Sequence, residues 1–279
     1  MRARKGGSQA SDRGSVPRTT LPRTLHAEAL RLRRSPLVPL HLACALAAGL
    51  ACGAYFAYAP WDPAMGSDAF VQLLGALMPL MAGIVCGLDA DGEGEATGLS
   101  ALLSVPSRRV ALSARLCVLW LMGTAALALS LGTFATVLHV AGRSPFGAGV
   151  WVLALAGLSL GSILLYLLLY AVALRWGRNV AIAVGAAGLM LAFFSVGGLA
   201  HGLMTGELTA VGTSALGLVP ACWAARLGSL GVELFVSGGA GSVAAALTWL
   251  AGACVVTTAL LAVAVQWWVA RFEPARRGE

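Results

Sequence analysis

The chain has 279 residues, of which 58% are hydrophobic and 11% charged, and a net charge of +7. With a mean hydropathy of +0.82, it is too apolar for a soluble domain. The location of the basic residues excludes nucleic-acid binding as the use of the positive charge: seventeen of the nineteen Lys and Arg residues lie in the N-terminal tail, in 89–115, beside Trp176 or at the C-terminus.

Residues 1–24 are rich in Ser, Arg, Gly and Pro and read as a disordered basic tail. Residues 25–36 place Leu25, Ala29 and Leu32 on one helical face, with Glu28, Arg31, Arg33 and Arg34 elsewhere. This pattern predicts an amphipathic helix lying at a membrane surface.

Six stretches then reach the roughly 20 residues needed to cross a bilayer core of about 30 Å: 37–59, 69–88, 116–141, 150–174, 180–203 and 243–270. None alternates polar and apolar residues as a barrel strand would, so helices are expected. The predicted fold is an all-α polytopic membrane protein with a six-helix transmembrane domain over 37–270. Basic residues cluster on one side of that arrangement, which puts both termini, including the 271–279 tail, in the cytoplasm and the protein in the plasma membrane. The first span is too long for a signal-peptide core, although Ala57-Tyr58-Ala59 follows it, and is expected to be retained. Within the spans, Gly49/Gly53 and Gly157/Gly161 have the spacing of close-packing faces. His41 and His139 read as packed or interfacial histidines. Tyr166 and Tyr170 share a helix face.

Between the second and third spans lies a charged loop, 89–115, carrying Asp89, Asp91, Glu93 and Glu95, then an apolar run, then Pro106, Arg108 and Arg109. Asp89, Asp91, Glu93 and Gly94 fit the first positions of a calcium loop, but position twelve is Ser100 where a bidentate Glu is needed. Leu99, Leu102 and Leu103 have helical spacing, so a short cytoplasmic helix with an apolar ridge is expected, a shape suited to a partner's groove. The 204–242 connection is apolar but broken by Pro220, Arg226 and glycines. It reads as short helices or a re-entrant hairpin on the outer face.

The six cysteines are scattered and form no metal pattern. No phosphate-binding loop, dinucleotide fingerprint or protease motif is present, so neither catalytic chemistry nor a cofactor is expected.

The order Glu95-Ala-Thr-Gly98, then Leu102-Leu103-Ser-Val-Pro106-Ser-Arg108, between the second and third of six spans, resembles the permeases of the ABC type-2 exporter family. Glu28-Ala-Leu-Arg31-Leu-Arg33-Arg34-Ser35 is similar to the opening of the branch associated with lantibiotic immunity and bacitracin resistance, with Arg31 where Lys is usual. The resemblance implies a permease subunit driven by a separate ABC ATPase and paired with a second permease. It implies that a hydrophobic or amphipathic cargo, such as an antimicrobial peptide or lipid-like molecule, is exported. It also implies that Glu93, Glu95, Gly98, Leu102, Leu103, Pro106, Arg108 and Arg109 couple to the ATPase. A membrane enzyme acting at the lipid interface and a non-transporting scaffold or sensor are the alternative readings.

Overall fold

A computed structural model describes residues 20–97, 107–195, 204 and 216–271. These residues form eight α-helices and two short 3-10 turns, with no strand among them. Five helices are long and apolar enough to cross a membrane, and a sixth apolar helix is shorter.

Helix α1 (Leu21–Arg33) starts with a proline in its first turn and ends with Arg31 and Arg33 in its last. Both ends are chemically favoured: proline loses no hydrogen bond at a helix start, and cations suit the negative end of the dipole. The expected disordered tail therefore stops short of residue 24, because residues 21–24 are already helical; residues 1–19 lie outside the described residues.

After α2 (Leu37–Tyr58), the Asp62 side chain accepts bonds from the Ala64 and Met65 amides at 3.0 Å and caps α3 (Pro63–Thr97). At 35 residues, α3 is about 50 Å long, well beyond the thickness of a bilayer core. It begins six residues before the expected span and runs nine past it. Ser107 caps α4 (Arg108–Val140), accepting from the Val110 amide. The 89–115 segment is thus helical at both ends, and only 98–106 between them lies outside the described residues. Charge did not end either helix because, as shown below, the charges pair with one another.

Helix α5 (Ala148–Trp176) ends at Gly177, whose φ of 90° favours glycine, and α6 (Arg178–Phe194) begins immediately. At 17 residues, α6 spans about 25 Å; the remainder of the expected 180–203 span, 196–203, lies outside the described residues. Two 3-10 turns, Leu216–Leu218 and Pro220–Cys222, lead into α7 (Trp223–Val236), and Gly238–Gly239 turns the chain into α8 (Gly241–Arg271). Residues 272–279 are outside the described residues.

Small residues set the packing. The buried stripe of α2 is Leu37, His41, Ala45, Gly49, Gly53 and Ala57, one residue every four. It lies on α4 so closely that a Cβ on Gly49 would stand 2.6 Å from the Ser130 carbonyl oxygen. Gly157 and Gly161 do the same for α5 against α7, meeting the backbones of Leu227 and Ala224. Both glycine pairs are therefore helix contacts, and substitution there would push backbones apart. Antiparallel to α3, α6 brings Ala181 to Gly83 and Gly185 to Pro79. Helices α3 and α5 are central, whereas α2 and α8 present most of their apolar surface outward.

Two arginines far from the basic end of the bundle serve as carbonyl caps. Arg143 Nη1 donates to the carbonyls of Phe56, Ala57 and Ala59 at 3.1, 3.3 and 2.5 Å, and Nη2 donates to Trp61 at 2.6 Å. The exposed carbonyls at the end of α2 are thereby satisfied. Arg226 Nη1 donates to the Gly217 carbonyl at 2.9 Å.

Candidate functional site

Helical spacing places Asp89 and Glu93, four residues apart, on one side of α3. Asp91 falls on another side. The first two face Arg115, one turn into the apolar part of α4, while Asp91 faces Arg178 at the start of α6, 3.1 Å away. Arg115 Nη2 donates to Glu93 Oε2 at 2.8 Å, and Nη1 donates to the Tyr170 hydroxyl at 3.2 Å. That hydroxyl in turn donates to Asp89 Oδ2 at 3.1 Å.

The surface helix closes the group. Glu28 receives Arg115 Nε and Nη2 at 3.4 Å and Arg31 Nε at 2.8 Å, while Arg31 Nη2 reaches Asp89 Oδ1 at 2.6 Å. Four helices, α1, α3, α4 and α5, therefore converge on one network of three carboxylates, two guanidiniums and a phenol.

Burial makes these bonds consequential. The side chains of Arg115, Asp89 and Glu93 are each at most 5% exposed. Removing such ions from water costs several kcal/mol apiece, so the arrangement holds only while its partners stay together. A lone residue cannot be removed cheaply. Burial by itself would lower the Arg31 pKa, but the charge and hydrogen bond of Asp89 together with the Glu28 carboxylate outweigh it and hold the pKa above its ordinary value, so this guanidinium stays charged.

The predicted coupling residues divide into three groups. Glu93 points inward and holds Arg115; its position does not present it to a soluble partner. Arg108 is half-buried and Arg109 exposed at the start of α4. Glu95 lies in the last turns of α3, its side chain outside the described residues, and Gly98, Leu102, Leu103 and Pro106 lie outside them altogether. Of the surface-helix residues, Glu28 and Arg31 enter the network, whereas Arg33 and Arg34 are exposed.

Arg115, Asp89 and Tyr170 were not predicted as site residues. A signal was available: Asp89 and Glu93 at i,i+4, an arginine inside an otherwise apolar stretch, and Glu28–Arg31 at i,i+3. Tyr166, by contrast, packs its hydroxyl against Gly123.

Residues 24–197 match the family model described as ABC-2 family transporter protein. That range holds the entire network, from Glu28 to Tyr170. No curated protein and no solved structure matches the chain.

Proposed function

We propose that this chain, which belongs to the ABC-2 family of transporter proteins, is the membrane permease of an exporter powered by a separate ABC ATPase. Permeases of this family work with such an ATPase. The observation that carries the reading is the buried network itself, directly beside the ends of α3 and α4 that bracket 98–106. A push delivered to that connection would reach α1 and α5 through Arg115 rather than dissipate in a floppy loop.

In this reading the 98–106 connection docks on the ATPase through Leu102 and Leu103, flanked by Glu95, Gly98, Pro106, Arg108 and Arg109. The basic end faces the cytoplasm by the positive-inside rule, in the plasma membrane. Arg33 and Arg34, exposed on α1, meet the bilayer surface there. Segment 204–242 is re-entrant from the opposite side: α7 lies beside the first half of α5, from Gly161 to Gly149, which is about half the length of a spanning helix. Two permease copies, identical or sister chains, enclose the path, and a hydrophobic or amphipathic molecule such as an antimicrobial peptide or lipid-like compound is the cargo.

The test is co-purification of the full chain with its ABC ATPase, followed by Leu102→Asp with Leu103→Asp. Loss of the ATPase from an otherwise folded permease supports the reading. Retention of the ATPase with undiminished activity favours a scaffold in which the connection has another use.

A further inference from the structure

Helix α8 turns one straight apolar stripe away from the rest of the bundle. Trp249, Val256, Leu260, Val263 and Trp267 recur at helical spacing, and each is at least 59% exposed. The two indoles are 18 residues apart, about 27 Å along a helix and close to the thickness of a bilayer core. Tryptophan prefers the two boundaries of that core. The stripe therefore faces acyl chains, and Trp267 stands where the headgroups begin.

Arg271, one turn beyond Trp267, lays its guanidinium over that indole, 3.9 Å from the ring centroid. A second guanidinium comes from α4. Gln266 Nε2 donates to the Ser113 hydroxyl at 2.6 Å, which sets the register of α8 against the start of α4. Deeper in the bundle, Cys254 reaches the Leu160 carbonyl and Trp120 the adjacent Ser159 carbonyl. Helix α8 thus advances from 254 to 266 while α4 falls from 120 to 113, and the two are antiparallel. Four residues back from Ser113 and four forward from Gln266, Arg109 stands level with Ala270, next to Arg271. Arg109 lies on the helix side of Ser113 and, like Arg271, is exposed.

Neither guanidinium forms an ion pair among the described residues. The carboxylates closest in the fold are committed elsewhere. Glu28, Asp89 and Glu93 gather around Arg115, which is two residues from Ser113 and so projects from the other side of α4. Asp91 pairs with Arg178. Two cations therefore meet at headgroup level, with an exposed indole beside them and apolar surface directly below.

We propose that Arg109 and Arg271, with Trp267 and the stripe below it, bind one anionic phospholipid. The planar guanidiniums present paired donors that match phosphate oxygens, and an acyl chain follows Val263 and Leu260 toward the middle of the bilayer. Juxtamembrane cations attract anionic headgroups, and the uncompensated pair makes a net negative lipid the fitting occupant. Arg109 also flanks the connection assigned above to the ATPase, so lipid binding is measured without that partner; failure of either reading leaves the other standing.

The test is native mass spectrometry of the full chain, purified and stripped of lipid, then titrated with phosphatidylglycerol or with phosphatidylcholine of the same acyl chains. Wild type is expected to hold one phosphatidylglycerol at least tenfold more tightly than phosphatidylcholine. Arg109→Gln with Arg271→Gln should abolish that preference, whereas Arg33→Gln with Arg34→Gln on α1 should keep it. Equal affinity of wild type for the two lipids overturns the proposal, and this comparison stands even where a variant folds poorly. A preference that survives the Arg109 and Arg271 substitutions overturns it too. Loss of the preference in millimolar inorganic phosphate would mark a site for the free ion and overturn the lipid assignment. In vesicles of phosphatidylglycerol, a chain whose only cysteine is Leu260→Cys should form no disulfide dimer; ready dimerisation would put a second copy, not lipid, on the stripe.

Discussion

Arg115 and Glu93 lie 2.8 Å apart, each nearly excluded from solvent, on the two helices that lead into and out of the 98–106 connection. The pair therefore couples those helices beside the connection that the proposed function assigns to the ATPase. Because Arg115 also bonds Tyr170 and Glu28, the same guanidinium ties the connection to α5 and to the surface helix.

Replacing Arg115 with Met takes this ion-pair partner from the buried Glu93 and leaves Asp89 and the partly buried Glu28 to Arg31. A loss of about 3–5 kcal/mol is expected from breaking a buried ion pair on one side alone, read as a large drop in the thermal midpoint of the purified protein. Adding Glu93→Gln to Arg115→Met should recover part of that loss. Strictly additive effects of the two substitutions would mean that the pair is not coupled.

Gly49→Leu should separate α2 from α4, since a Cβ there already meets the Ser130 carbonyl. Gly132→Ala on α4, where a Cβ meets nothing within 4 Å, serves as the control and should be tolerated. Thermal unfolding of both variants checks this: the Gly49 variant falls by several degrees or fails to accumulate, while the control matches wild type.

The small-residue contacts were legible in the sequence because four-residue spacing maps directly onto one helix face. The charged segment was harder. Its carboxylates look like the end of a span, and only the partners supplied by α1, α4 and α6 let α3 continue helically to Thr97. Those partners are up to 87 residues away in sequence, the separation of Arg178 from Asp91, beyond the reach of local patterning. Asp68, which accepts from Ser229 and Gln72 inside the bundle, escaped for a narrower reason: the expected span began at residue 69, so a buried carboxylate was counted as part of a connection. Positive-inside counting set Arg143 and Arg226 apart from the other basic residues, but that they cap carbonyls is a property of the folded chain.

Arg143→Ala should loosen the end of α2. Four carbonyl contacts are lost, and with hydrogen bonds to charged groups contributing about 1.5–3 kcal/mol each at most, a net loss of about 2 kcal/mol is expected at this half-exposed site. Hydrogen exchange at residues 56–61 should rise while exchange in α5 stays unchanged. Unaltered exchange at 56–61 would show that the cap has no role in holding this turn.

Tyr170→Phe removes one hydroxyl that both accepts from Arg115 and donates to Asp89. Loss of about 1–3 kcal/mol follows from leaving buried polar atoms unsatisfied. In the assembled transporter, the variant should retain the ATPase while transport per ATP hydrolysed declines. Full transport efficiency would place the phenol outside the coupling route.

The most direct test of the central claim is disulfide cross-linking in the assembled complex. The six native cysteines are replaced, one cysteine is introduced at Leu102, and a second is scanned across the surface of the ABC ATPase. The account predicts rapid cross-linking at one groove of the ATPase, with a yield that changes when ATP is bound and is lost in Leu103→Asp. Cross-linking absent at every ATPase position, in a complex that still hydrolyses ATP and transports, would contradict it.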